Sequence, residues 1–128
     1  MNANEHESLV KIIVGAAYEV SNVLGAGFLE KVYERALYQE LMARGLGVRT
    51  QVAFPVLYRG HCVGEYFADL LVEDRILVEL RCVESFSGAH LATCINYLRA
   101  SGLPLALLFN FQKPKVEWKR VVYSRPGK

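Results

Sequence analysis

The chain has 128 residues, 52% of them hydrophobic and 22% charged, with a formal net charge of +2. That length fits one domain over residues 1–128 whose core needs neither disulfides nor a structural metal. The charge is too small to demonstrate a polyanionic partner by electrostatics alone. Cys62, Cys82 and Cys94 are odd in number and lack Cys-x-x-Cys spacing, so neither a zinc knuckle nor a disulfide framework is suggested, and their apolar settings predict reduced core thiols. The opening Met-Asn-Ala-Asn-Glu-His-Glu-Ser has no basic flank followed by an apolar core, and no apolar run approaches a membrane span. A cytoplasmic protein without membrane contact is therefore the default.

From Ser8 to Leu24 the apolar residues Leu9, Ile12, Ile13, Ala16, Val20, Val23 and Leu24 follow the spacing of an amphipathic helix, which Gly25-Ala-Gly27 ends. A second helix from about Phe28 to Arg44 carries Leu29, Tyr33, Ala36, Leu37 and Leu41 on one stripe and stops at Gly45 and Gly47. Then the period changes. Gln51 to Tyr58 and His61 to Leu71 flank the hairpin loop Arg59-Gly60, and Ile76 to Val83 follows a turn at Glu73-Asp74, giving an antiparallel meander. Pro55 cannot donate to a ladder, so its strand is expected at an edge or broken there. After the Ser87-Gly88 loop, His90 to Ala100 returns to helical spacing with Leu91, Cys94, Ile95 and Leu98, and Gly102-Leu-Pro104 stops it. Leu105 to Phe111 reads as a strand covered on both faces, and Val116 to Tyr123, with Trp118, as a final strand. The expected order is α-α-β-β-β-α-β-β. From Lys113 onward, Lys113, Lys115, Lys119, Arg120, Arg125 and Lys128 face the single acid Glu117, an excess of five positive charges. Such a tail suits phosphates, or equally a solvated edge strand and terminus.

Asp69, Glu79 and Arg81 lie inside apolar strands, where an ionised group costs several kcal/mol unless paired or metal-bound. Side chains alternate along a strand, so Glu79 and Arg81 share a face. A two-residue loop at Glu73-Asp74 would send Asp69 to the opposite face. A three-residue loop, Glu73-Asp74-Arg75, or an equivalent bulge, sets Asp69 directly opposite Glu79 with Cα atoms roughly 4.5 to 5.5 Å apart, and this is the register expected. Two facing carboxylates then call for a cation between them or a proton on one. Magnesium suits one or two carboxylates with carbonyl and water oxygens. Equally, the Arg81 guanidinium forks across both carboxylates as an ion cluster without metal. On residues alone the two readings stand level.

At Gly27-Phe-Leu-Glu30-Lys-Val-Tyr33 the chain reads Gly-x-x-Glu-x-x-Tyr and resembles the bacterial GxxExxY family. The likeness runs on through Val56-Leu-Tyr-Arg-Gly60, Tyr66-Phe-Ala-Asp69-Leu-Leu-Val72, Val78-Glu79-Leu-Arg81-Cys-Val-Glu84, Asn96-Tyr-Leu98 and Leu107-Leu-Phe-Asn-Phe111. That family resembles the PD-(D/E)xK nuclease superfamily, which implies an α/β, restriction-endonuclease-like fold: a mixed central sheet flanked by helices. It also implies a catalytic set of Asp69, Glu79, Arg81 and Glu30. Asp69, Glu79, the Leu80 backbone carbonyl and Glu30 would bind Mg2+ or Mn2+, and the metal would polarise a phosphodiester of DNA or RNA and position a water. Arg81 stands where that superfamily usually has lysine, and Thr93 where a glutamine commonly faces the site. Arginine keeps its proton at accessible pH, and threonine is too short to span the same gap. Low mass favours a homodimer, which would double the phosphate contacts. The alternative function is a non-catalytic module that binds nucleic acid or a protein through the same groove, with Arg81 locking it.

Other residues have plainer readings. With Gly27 as N-cap, Glu30 lies at N3, where a carboxylate favours the positive helix end. Tyr33 reads as packed at the core margin with its hydroxyl bonded, Glu84 as a surface acid, and His90 as a cap or solvated residue. Tyr66 and Tyr97 are of the type that stacks on bases, though interior aromatics are commoner.

Overall fold

The computed structural model describes residues 3–124. Arg125 and Lys128 of the basic tail lie outside the described residues. The elements are α1 (Ala3–Leu24), α2 (Glu30–Ala43), β1 (Val48–Tyr58), β2 (His61–Val72), β3 (Ile76–Arg81), α3 (Gly88–Ser101), β4 (Leu105–Asn110) and β5 (Glu117–Val122). They follow the expected order. The sheet order is β1-β2-β3-β4-β5; β3 and β4 run parallel and the other neighbours antiparallel. Parallel neighbours need a crossover, and α3 supplies it.

Each sheet face has its own core. On one, Ile13, Val20, Tyr33, Leu37 and Leu41 from α1 and α2 pack on Leu70, Val78, Leu80, Leu107 and Phe109. On the other, Cys94 and Leu98 of α3 cover Leu71, Leu77, Ala106 and Leu108. Strand β4 feeds both faces by alternation, the reason its sequence is apolar throughout. Strand β1 is an edge, as Pro55 requires. Its hairpin to β2 closes through Arg59-Gly60 with Tyr58 opposite His61 and φ of 50° and 82°, the left-handed pair that a two-residue turn needs.

Several boundaries and exposures depart from the sequence pattern. Helix α1 starts before Ser8 because its exposed polar first turns, with Glu5 at the favourable end, carry no apolar period. Helix α2 is capped by Leu29 without a side-chain bond, so Glu30 stands at N1 and not at N3 from Gly27. The loop before it is folded back by Tyr33, which is fully buried; its hydroxyl donates to the Gly25 carbonyl (2.6 Å) and accepts from the Phe28 N–H (3.2 Å). Strand β1 begins at Val48, ahead of Gln51. Strand β3 ends at Arg81, before Val83, whose backbone is taken by the buried Asn110 side chain through N–H (3.1 Å) and C=O (2.8 Å). Ile12, Val23, Leu29 and Ile95, read as core stripe, are exposed. Only Cys94 behaves as a core thiol: Cys62 is exposed beside the hairpin turn and Cys82 is half-buried. Within the basic segment, Lys113 pairs with Glu117 (3.1 Å), the acid already counted, and Arg120 pairs with Glu7 on α1, which offsets one further charge of the expected excess.

Candidate functional site

The site begins at the β2–β3 turn. Arg75 N–H bonds the Val72 carbonyl at 3.0 Å around Glu73 and Asp74, both at φ 54°, and Arg75 remains as an odd third loop residue. Pairing then runs Val72↔Ile76, Leu71↔Leu77 and Leu70↔Val78. One step further, that register sets Asp69 opposite Glu79, as the three-residue loop demands. Backbone pairing stops there and the carboxylates take over the freed donors. Asp69 N–H donates to Glu79 Oε2 at 2.8 Å, and Leu80 N–H donates to Asp69 Oδ2 at 2.9 Å. Each buried N–H thus has a partner, and the two carboxylates are locked into a crossed clamp.

Across β2 the backbone is also irregular. Gln51, between the pairs Thr50↔Leu70 and Val52↔Ala68, has φ 49°, a left-handed conformation unusual for a residue with a side chain. At the same level of β2 the alternation breaks: Ala68 packs with the α3 side and Leu70 with the α1–α2 side. This kink brings Gln51 Nε2 between Glu34 (3.1 and 3.4 Å) and Asp69 Oδ1 (3.4 Å). Glu34 is buried on α2 and also receives Lys31 Nζ at 3.1 Å. Glu34 and Gln51 were not singled out from the sequence. Glu34 lies one helical turn after Glu30, and that i, i+4 repeat was the available signal.

Arg81 enters this acidic pocket with one nitrogen. Its Nη1 lies 3.6 Å from Asp69 Oδ2, 3.6 Å from Glu79 Oε1, and donates to the Leu80 carbonyl at 2.6 Å. This differs from the fork that one of the two level readings required, in which two nitrogens would meet carboxylate oxygens near 2.7–2.9 Å. The Arg81 side chain is 20% exposed, so the guanidinium stays partly open to solvent.

The electrostatics are those of acids in excess. Glu30, Glu34, Asp69 and Glu79 converge on Arg81 and Lys31. Glu79, 1% exposed, has its carboxyl pushed up to about 8, first by burial and then by the Asp69 charge, against the Asp69 N–H and Arg81. Asp69 is raised by burial and by Glu34, while the Leu80 N–H, Arg81 and Gln51 oppose. Glu30, at the exposed start of α2, is raised by partial burial; Arg81 opposes, Asp69 adds to the shift, and the Cys82 N–H lowers it. Burial lowers the Arg81 pKa, yet Glu79, Asp69 and Glu30 together carry it above its ordinary value. On the α3 side the Cys94 thiol and the Tyr97 hydroxyl are each pushed up to about 12 by burial and next by Glu79. Tyr97 meets Tyr66 edge-on, 4.9 Å between centroids. Thr93, in the expected glutamine position, donates its hydroxyl to its own helix at Ala89 C=O (3.0 Å). His90 is a capping residue: its Nδ1 accepts from Ser87 N–H at 2.9 Å.

A sequence profile of the PD-(D/E)XK nuclease superfamily matches residues 7–121. The chain belongs to the PD-(D/E)XK nuclease superfamily. The solved structure described as "Crystal structure of SSO0001" has the same fold at TM-score 0.57 and 15% identity, over 74% of this chain. This chain spans half, 50%, of that one's length, and the likeness concerns fold alone. No curated protein is significantly similar. Nucleases of the PD-(D/E)XK superfamily generally use divalent metal ions, and the donors here suit a hard cation: two carboxylates and a carbonyl. The space between them does not. An ion about 2.1 Å from these oxygens would collide with Arg81 Nη1, which is itself 2.6 Å from the carbonyl. Among the described residues no three His, Cys, Asp or Glu side chains group so as to hold a metal ion. As arranged, the residues do not fit a resident metal.

Proposed function

We propose that this chain is a single-domain protein of the GxxExxY type that engages nucleic acid without hydrolysing it. The observation that carries this reading is Arg81 Nη1 between Asp69, Glu79 and the Leu80 carbonyl. An arginine there supplies positive charge and hydrogen-bond donors but holds its proton, so it cannot serve as the base that activates a water. Thr93 has its hydroxyl committed to Ala89 and offers no substitute. The half-buried Tyr97 lies within electrostatic reach of Glu79, Arg81 and Asp69 and meets Tyr66 edge-on, and aromatic rings of this kind suit an unstacked base. The experiment is a fluorescently labelled DNA and RNA oligonucleotide panel with EDTA, Mg2+ or Mn2+. Binding in EDTA without cleavage under any condition is expected. Metal-dependent cleavage that Asp69→Asn abolishes would overturn the reading.

A second reading, metal-dependent phosphodiester hydrolysis, is favoured by the excess of acids over cations and by Glu79 raised to about 8 with Arg81 already beside it. One guanidinium leaves the pocket negative. Mn2+-dependent cleavage of the same oligonucleotides by the wild-type chain, lost in Asp69→Asn together with a Mn2+-dependent rise in melting temperature, would establish it.

A further inference from the structure

We infer that the start of β5 and the loop before it form a separate contact for single-stranded nucleic acid, outside the acidic pocket, in which an unstacked base lies against Trp118 between lysines. The inference rests on the nucleic-acid reading above and adds a surface to it. Two open grooves, of about 620 and 350 Å³, meet at Trp118. Tyr18, Lys113 and Lys115 line the first, and Phe86, Lys113 and Lys119 the second. Trp118 is half-buried: it packs at the margin of the α1–α2 core, its ring centroid 6.4 Å from that of Phe109, and its open remainder faces the grooves it lines. Aromatic rings stack on bases while ammonium groups follow the phosphates, the combination by which single strands are bound. A duplex keeps the faces of its bases covered, so this combination favours an unpaired strand.

Lysines that only keep an edge strand soluble need no fixed backbone beneath them. Here the loop is pinned on both sides of Lys115, because the buried Ser21 hydroxyl of α1 donates to Pro114 C=O and accepts from Val116 N–H, each at 3.1 Å. Lys115 Nζ is in turn held over the Tyr18 ring, 5.8 Å from its centroid. Glu117 takes up Lys113, whereas the exposed Lys115 and Lys119 have no carboxylate partner among the described residues. The surface is thus preset and carries positive charge in excess. Pairing of Arg81 with Asn110 and of Asn110 with Glu117 puts it at the same end of the sheet as Arg81, two strand spacings or about 10 Å along.

Trp118 is the single tryptophan of the chain, so its fluorescence reports the contact directly. The full chain is titrated in EDTA with oligothymidylate, with a duplex of the same length and with polyglutamate, at several salt concentrations. The single strand should quench Trp118 and bind more tightly than the duplex, and polyglutamate should leave the fluorescence unchanged. Trp118→Leu, which keeps an apolar contact for Phe109, should weaken single-strand binding about tenfold, and Trp118→Phe should restore most of it. Lys115→Gln with Lys119→Gln, both at exposed positions, should lower the slope of log affinity against log salt by about 0.7 for each lysine. Should the leucine variant fail to fold, the phenylalanine and lysine variants still decide. Binding without quenching, an unchanged salt slope in the lysine variant, or a duplex bound as tightly as the single strand overturns the inference. Quenching by polyglutamate as strong as by the oligonucleotide also overturns it, in favour of an acidic protein surface. If the oligonucleotide binds and no variant weakens it, this surface falls and the nucleic-acid reading stands. If no oligonucleotide binds, both fall together.

Discussion

Arg49 and Arg81 each face a carboxylate near the β2–β3 hairpin, on opposite terms. Arg49, from β1, sets Nη2 and Nε on Asp74 Oδ1 at 2.7 and 3.2 Å, with side chains 62% and 76% exposed. Arg81 keeps a longer 3.6 Å from two carboxylates that are 14% and 1% exposed. Distance alone ranks the surface pair first. Burial reverses the order, because water screens Arg49 and Asp74 but not the interior charges, whose desolvation is offset only by one another and by the backbone N–H groups they accept. A short ion pair in water is decoration on this fold; a long one between strands constrains what the site can hold.

The largest expected difference between the two arginines is in stability. Arg81→Ala should cost about 2–4 kcal/mol in urea unfolding near pH 8, since it leaves buried carboxylates without a counter-charge. The comparison can be sharpened by pH. Glu79 has its folded pKa raised from 4.5 to about 8, so the native state binds more protons than the unfolded chain between those values. Its contribution is fully present below about 4.5 and is lost as pH rises through about 8, on the order of a few kcal/mol in all. Glu79→Gln should flatten that slope, and an unchanged urea midpoint profile across the range would contradict the burial argument. Gln51 separates backbone from side chain. Gln51→Gly relieves the left-handed φ while losing the bridge from Glu34 to Asp69, and Gln51→Ala loses the bridge and keeps the strain, so glycine should be the more stable by about 1 kcal/mol. The smallest effect belongs to Arg49→Ala, below about 1 kcal/mol and shrinking further in high salt. A loss there equal to that of Arg81→Ala would erase the distinction.

Much of the site is legible in the sequence. An odd loop sets Asp69 opposite Glu79 by counting alone, because register and facing are local, period-two properties of paired strands. The edge position of β1, the two-faced burial of β4 and the turn at Arg59-Gly60 follow from proline, apolar continuity and left-handed turn residues in the same local way. Glu34 and Gln51 escaped notice because their place depends on how α2 docks and on a kink at Gln51, neither of which leaves a periodic trace. The exposure of Cys62, Val23 and Leu29 has the same origin: hydrophobicity says what benefits from cover, and only packing says which residues receive it.

The amino-acid order therefore determined which residues meet across β2 and β3, since chain connectivity and alternation leave two carboxylates no other arrangement once the loop is odd. The folded molecule alone decided what lies between them. Strand divergence below Leu70 and Val78, the burial of Glu79 and the single nitrogen of Arg81 reaching the Leu80 carbonyl are outcomes of packing in three dimensions. No spacing rule encodes a distance between side chains that belong to diverging strands.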